Sequence, residues 1–380
     1  WIVYLAVAML VSLQSLLRHT NAYGYTAYEN YVIFKNAFAH LAQGLNPYAL
    51  FPAEQWDLFK YSPAFAVAMA PFSVLPDWAG LPLWNAANAL PLLWAILRLP
   101  VLEPQQRRFV AWFVLPELVI SLQNSQSNGL TAAFILWVWV ALESARPVWG
   151  AWWAAAGGFL KIFGIFAAVW APAYSGKSRF VLSGLAWGLV FLLSPLLVLS
   201  PAQTLQVYRW WVELLQQDHA VSLGLSVAGW LDSWFGWLPD KNAVTAAGLL
   251  LLALSALAVY RAPSLRRRTL LAASVLIWVV IFNHKAESPT FVIALSGVAM
   301  WYLAVERAAR WQTVALWGTF AFVSLTPTDL CPRALREQIV QPYVLKAVPC
   351  IALWALLTAG LIRTLFNSRP RAEASIEAHE

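Results

Sequence analysis

In a chain with few polar side chains, a small set has the chemistry to act on a sugar and a phosphate. Glu29 and Asn30 open a helical pattern, and Asp57, Lys60 and Tyr61 follow at i, i+3 and i+4 just before Ser62-Pro63. Gln123, Gln126 and Asn128 sit in the stretch QNSQSN, and Lys161 interrupts the apolar run GGFLKIFGIF. His219 follows Asp218, while Asn283-His284-Lys285-Ala286-Glu287-Ser288-Pro289 ends another apolar run abruptly. A carboxylate at Glu29 or Asp57 could take a proton from an acceptor hydroxyl. Lys161, His284 and Lys285 could meet a phosphate, and the amides of Asn30, Gln123, Gln126 and Asn128 could form a shelf for sugar hydroxyls. Blander readings stand beside these: Lys161 snorkelling to an interface or pairing with Glu117, amides capping a helix junction, and 283–289 as an ordinary short loop. No serine triad, Gly-rich nucleotide loop or metal-binding His-Glu cluster is present in the pattern, so no metal and no cofactor is expected.

Such groups need elements to hold them, and composition says what those elements are. The chain has 380 residues, 61% hydrophobic and only 11% charged, with 23 Trp. Soluble domains are about a quarter charged. Apolar runs of about 20 residues recur along the length, with Trp and Tyr crowding their ends, which is the signature of a polytopic helical membrane protein. The net charge of +7 lies largely in short clusters such as Arg261, Arg266, Arg267 and Arg268. Topological anchoring explains such clusters, and no nucleic-acid partner is expected. Cys331 and Cys350 have no metal-motif spacing, and neither a zinc site nor a disulfide is favoured. The opening run, WIVYLAVAMLVSLQSLL, reads as a first span rather than a signal peptide.

Spans are expected near 1–17, 63–76, 80–97, 109–122, 129–143, 147–173, 180–200, 243–260, 269–283, 289–305, 311–326 and 343–362. They make a bundle of about 11–12 transmembrane helices. One membrane domain covers 1–365, with a charged, disordered cytoplasmic tail at 366–380. Two long polar interruptions break it, 18–61 and 201–242. In the first, Tyr31, Phe34, Ala37, Phe38 and Leu41 recur at helical spacing, with Gly44 suited to ending the helix and Asn46-Pro47 to turning the chain. Strict alternation from a cytoplasmic start puts both long loops outside. It also puts Arg98, Arg107 and Arg108 outside, against the charge rule.

The order of these features resembles a known family. A first span leads to a loop helix ending in a Gly-x-Asn-Pro-Tyr turn, Gly44 to Tyr48. An aromatic-Ser-Pro-x-Phe segment follows, Tyr61 to Phe65, running into a span that ends Leu75-Pro76. Then come the Gln-rich junction at 123–128 and the Lys-aromatic run from Lys161 to Phe163. LFKYSPAF, SVAGWLDSWFG, FNHKAESPTF and YVLKAVPC look like segments of bacterial members. The chain is similar to glycosyltransferase family 87 of the GT-C superfamily.

The resemblance implies an inverting, metal-independent transferase of hexosyl or mannosyl type. Its donor would be a polyprenyl-phosphate sugar and its acceptor a lipid or a cell-envelope glycan, with membrane lipids around it. The multi-pass protein would lie in a bacterial inner membrane with its active site facing the periplasm. The family's general base is an Asp at the start of the loop helix, but here Asn30 stands in its place. Glu29, one residue away, and Asp57 are the substitutes, in that order. Lys161, His284 and Lys285 would stabilise the departing phosphate, with Lys60, Tyr61 and His219 in the site. A flippase for lipid-linked sugars and an inactive carrier-binding relative are the rival readings.

Overall fold

A computed structural model describes residues 1–366 except 19, 22, 23, 101, 219–222, 306 and 307. Among the described residues the chain is helical, with no strand. That is what lipid demands of apolar sequence, because a helix satisfies every backbone group within itself. The run begins with α1 (Ile2–Leu17), α2 (Glu29–Ala42), α3 (Pro63–Ala68), α4 (Ala70–Ser73), α5 (Asp77–Leu97), α6 (Pro104–Gln123), α7 (Asn128–Glu143) and α8 (Pro147–Leu160). A 3₁₀ segment (Ile162–Ala173) follows, then α9 (Lys177–Leu193), α10 (Pro201–Asp218), α11 (Val227–Phe235), α12 (Lys241–Arg261) and α13 (Leu265–Ile281). α14 (Phe291–Leu303), α15 (Arg310–Phe320), the single turn α16 (Arg333–Leu335) and α17 (Val348–Phe366) complete it. Four stretches are long and apolar enough to cross a membrane on length and composition: Asp77–Leu97, Lys177–Leu197, Lys241–Arg261 and Val348–Phe366.

Side-chain bonds sort the helix ends into two groups. Gln123 at the end of α6 donates to Gln14 near the end of α1 at 3.1 Å. Arg107 in the first turn of α6 donates to the Leu97 carbonyl ending α5 at 3.1 Å. Arg268 opening α13 pairs with Glu143 closing α7 at 2.8 Å. Lys161 after α8 reaches Asn128 at the start of α7 at 2.5 Å. Followed through, these contacts place α2, α10, 123–128 and 283–290 at one end of the bundle. Arg98, Arg107, Arg108, Arg146, Arg261, Arg266, Arg267, Arg268 and Arg310 lie at the other.

Two of the expected spans are therefore different elements, and together they remove the charge conflict. Residues 63–76 do not cross. They form α3 and α4, a broken pair whose 11 residues from Pro63 to Ser73 reach ~16 Å at 1.5 Å per residue, about half a bilayer core. Both flanks are held at the same end: the Ser62 hydroxyl bonds the Phe159 carbonyl, and Asp77 takes bonds from Lys35 and Tyr28. Residues 147–173 make two passes instead of one, because the helix stops at Lys161, whose backbone is extended. One crossing is lost and one gained, which puts Arg98, Arg107 and Arg108 at the same end as Arg146 and the arginine cluster at 261–268 and leaves everything downstream as expected.

The α8 hairpin is possible because two glycines face each other. A Cβ on Gly164 would stand 2.4 Å from the carbonyl carbon and oxygen of Gly157. Backbone cannot yield as a side chain can, so Gly164→Ala is expected to cost at least the ~1–3 kcal/mol of an overpacked core. It should lower the thermal unfolding midpoint in detergent, while Gly188→Ala, whose Cβ would meet nothing within 4 Å, should leave it unchanged.

The loop helix is present as expected. α2 buries Tyr31, Phe34, Ala37 and Leu41, and Gly44 ends it with a left-handed φ of 71°. It belongs to a second hydrophobic core separate from the bundle's. There Phe34 meets Tyr61, Phe65 and Trp84 edge-on at centroid distances of 4.9, 5.4 and 5.5 Å. This core fixes the walls of the site.

Candidate active site

A cavity of about 400 Å³ lies between α2, the 57–62 segment, the Lys161 apex, α10 and the 283–290 loop. Among the residues singled out from sequence, Asn30, Asp57, Lys60, Tyr61, Gln126, Lys161, His284 and Lys285 line it. Residues 57–62 are not helical, so the expected shared helix face is a correction. The segment runs into Ser62-Pro63, and a residue before proline is driven to extended backbone. Asp57 and Lys60 still meet at 3.1 Å, through irregular backbone rather than a helix face. Trp211 of α10 donates to the Lys60 carbonyl at 3.4 Å and lines the same wall.

The floor is a directed chain of hydrogen bonds. Lys161 Nζ donates to Asn128 Oδ1 at 2.5 Å, Asn128 Nδ2 to Gln126 Oε1 at 2.6 Å, and Gln126 Nε2 to Glu287 Oε2 at 2.7 Å. An ammonium can only donate and a carboxylate only accept, so both ends fix which way the two amides point. A cation on one wall is thus tied to an anion on the other. The junction is held by Ser125, strained at a φ of 51°, whose carbonyl accepts from the Trp84 indole at 2.8 Å. Ser127 donates to the Tyr61 hydroxyl at 3.3 Å, and Lys161 also stands 5.6 Å from the Tyr61 ring centre.

Other sequence candidates fall elsewhere. Glu29 does not line the cavity. Its carboxylate accepts from the Trp56 backbone N–H at 2.5 Å and from Asn21 at 2.7 Å. Burial holds it above the usual carboxylate range, with those two bonds opposing. It pins the 50s segment to the start of α2. Gln123 faces Gln14 and lies outside the cavity, and His219 lies outside the described residues.

Pairing between Lys161 and Glu117 does not occur. Glu117 accepts instead from Lys346 at 3.0 and 3.1 Å, and Lys346 also donates to Ser288 at 2.8 Å. This buried ion pair anchors the loop carrying His284, Lys285 and Glu287. Sequence reading missed Lys346, and it met the cavity carboxylate Glu287 only as part of the 283–289 run, with no role of its own. Lys346, a lone cation opening an apolar run, carried the same signal as Lys161.

Fold and site define a polytopic membrane protein with a polar, charged cavity walled by loops at one end of its bundle. The family model of glycosyltransferase family 87 matches residues 59–284, more than half of the sequence. The chain belongs to glycosyltransferase family 87, and so to the membrane glycosyltransferases. No curated protein matches it.

Proposed function

We propose that the chain moves a hexose-type sugar from a polyprenyl-phosphate donor to a lipid or glycan acceptor, with inversion. The observation that carries this reading is one cavity holding both a carboxylate, Asp57, and several cations, Lys60, Lys161 and Lys285, with His284 beside them. Most of the arginines, among them Arg98, Arg107, Arg108, Arg146 and the cluster at 261–268, lie at the opposite end of the bundle, so the charge rule puts the cavity on the non-cytoplasmic face. That is the periplasmic side in a bacterial inner membrane.

In the reaction Asp57 takes the acceptor hydroxyl's proton as the oxygen attacks the anomeric carbon from the face opposite the phosphate. The bond from that carbon to the phosphate oxygen breaks, and its electron pair leaves with the polyprenyl phosphate. Lys161, His284 and Lys285 receive the growing negative charge, so the scheme calls on no metal. Lys60, 3.1 Å from Asp57, helps to hold the carboxylate in place. Glu287 holds Gln126 and, through Asn128, keeps Lys161 aimed.

The test is release of polyprenyl phosphate by the protein in nanodiscs, from a radiolabelled panel of polyprenyl-phosphate sugars with membrane-extract acceptors. Donor-dependent release supports the reading. Donor binding without release from any sugar would favour a carrier-binding or transport role. Lys161→Met removes one charged bond to the phosphate and is expected to weaken donor binding about 10- to 100-fold. A donor titration checks this, and unchanged affinity would remove Lys161 from the phosphate site.

A further inference from the structure

A cleft larger than the reaction cavity lies elsewhere in the described structure. It lies at the arginine end, measures about 1230 Å³, and is bounded by the α12–α13 connection, the end of α14, the start of α15 and the last turns of α17. Arg261, Arg266 and Arg267 line one side, with Ser264 and Gln312 among them. Leu356, Leu357, Gly360 and Leu361 of α17 form an apolar wall, and a Cβ on Gly360 would meet nothing within 4 Å. No carboxylate is among the described lining residues.

The three consecutive arginines at the start of α13 are divided between two tasks. Arg268 turns inward to grip Glu143 with two bonds of 2.8 and 3.1 Å. Arg266 and Arg267 face the cleft, where Arg267 also donates to the Ala262 carbonyl at 2.8 Å. Among the described residues, neither Arg261 nor Arg266 has a hydrogen-bonding or ion-pairing partner. The amino end of α13, capped by Ser264, adds its partial positive charge at the same place.

Topological anchoring requires cations at this end but not a concave arrangement of them beside an apolar wall. We propose that this cleft binds an anionic glycerophospholipid of the surrounding leaflet. Its phosphate sits against Arg261, Arg266 and Arg267, and its acyl chains lie along Leu356, Gly360 and Leu361. The volume exceeds what a drug-sized ligand fills and suits two chains with a headgroup. Arginine is suited to the headgroup because its planar fork meets phosphate oxygens in pairs. The site is independent of sugar transfer and would tie the α12–α13 connection to α17.

The experiment is native mass spectrometry of the delipidated full chain, titrated with phosphatidylglycerol or phosphatidylcholine of matched acyl chains. Phosphatidylglycerol is expected to bind at least tenfold tighter. Each arginine near such a surface contributes about fivefold, so Arg266→Gln should cut that preference about fivefold, and Arg261→Gln/Arg266→Gln/Arg267→Gln should abolish it. A second basic groove at the same end, lined by Arg98 and Arg146, supplies the control: Arg98→Gln/Arg146→Gln should leave the preference intact. Equal affinity for the two lipids overturns the proposal, and so does an Arg266→Gln variant that keeps the full preference. Equal loss in the Arg98/Arg146 control would mean diffuse surface charge. Displacement of the lipid by millimolar inorganic phosphate would mean an anion site rather than a lipid site.

Discussion

Asp57→Asn is expected to lower sugar transfer by about 10²- to 10⁴-fold, the usual worth of a positioned general base, with donor binding nearly unchanged. The asparagine keeps the shape of the side chain and can still accept from the Leu58 N–H, which Asp57 now does at 2.7 Å. What it loses is the ability to accept a proton, together with the charge of the partly exposed pair with Lys60. Glu29→Gln should behave differently. Its two oxygens are occupied by Trp56 and Asn21, and an amide nitrogen turned toward the Trp56 N–H sets donor against donor. That variant should unfold at a lower temperature and lose donor binding together with turnover, because the 50s segment carrying Asp57 loosens. Steady-state rates at saturating donor, paired with thermal unfolding, separate the two outcomes. Full activity in Asp57→Asn with the loss confined to Glu29→Gln would return the base to Glu29 and reject the present assignment.

The contrast between these carboxylates indicates how far sequence could reach. α2 was legible because Tyr31, Phe34, Ala37 and Leu41 repeat at the helical period and Gly44 can take the left-handed turn that ends it. Its first residue, Glu29, was picked out by position along the chain. Which way a side chain points depends on partners such as Trp56, 27 residues further on. The Lys161 apex was hidden for another reason. Apolar sequence on both sides of it reads as one long span, and only the close approach of Gly157 and Gly164 reveals a turn. Hydropathy also could not distinguish the broken α3–α4 pair from a crossing, since its ends are set by Ser62 and Asp77 meeting distant residues. The Gln126–Asn128 pair was found as amides in a polar junction. Its role became visible only with Glu287, 161 residues away from Gln126.

Lys346→Met should be the most destabilising single change in the bundle. Glu117 is 0% exposed and its partner Lys346 4% exposed, so removing the cation strands a charge where water cannot reach it. Breaking a buried pair in this way costs about 3–5 kcal/mol, which should lower the unfolding midpoint in detergent by several degrees or prevent purification of the folded protein. The same physics says that the pair itself is weak evidence of stability, because two charges had to be desolvated to make it. Lys346→Met/Glu117→Leu removes both charges and should recover most of the midpoint lost in Lys346→Met alone. Turnover should not recover with it. Ser288 loses the 2.8 Å bond from Lys346 in both variants, and the loop holding His284, Lys285 and Glu287 then has one fewer anchor to the bundle. A double variant that regains both stability and full activity would show that the ion pair holds the fold and leaves the site alone. A double variant no more stable than the single one would show that the stranded charge is not the cause of the damage.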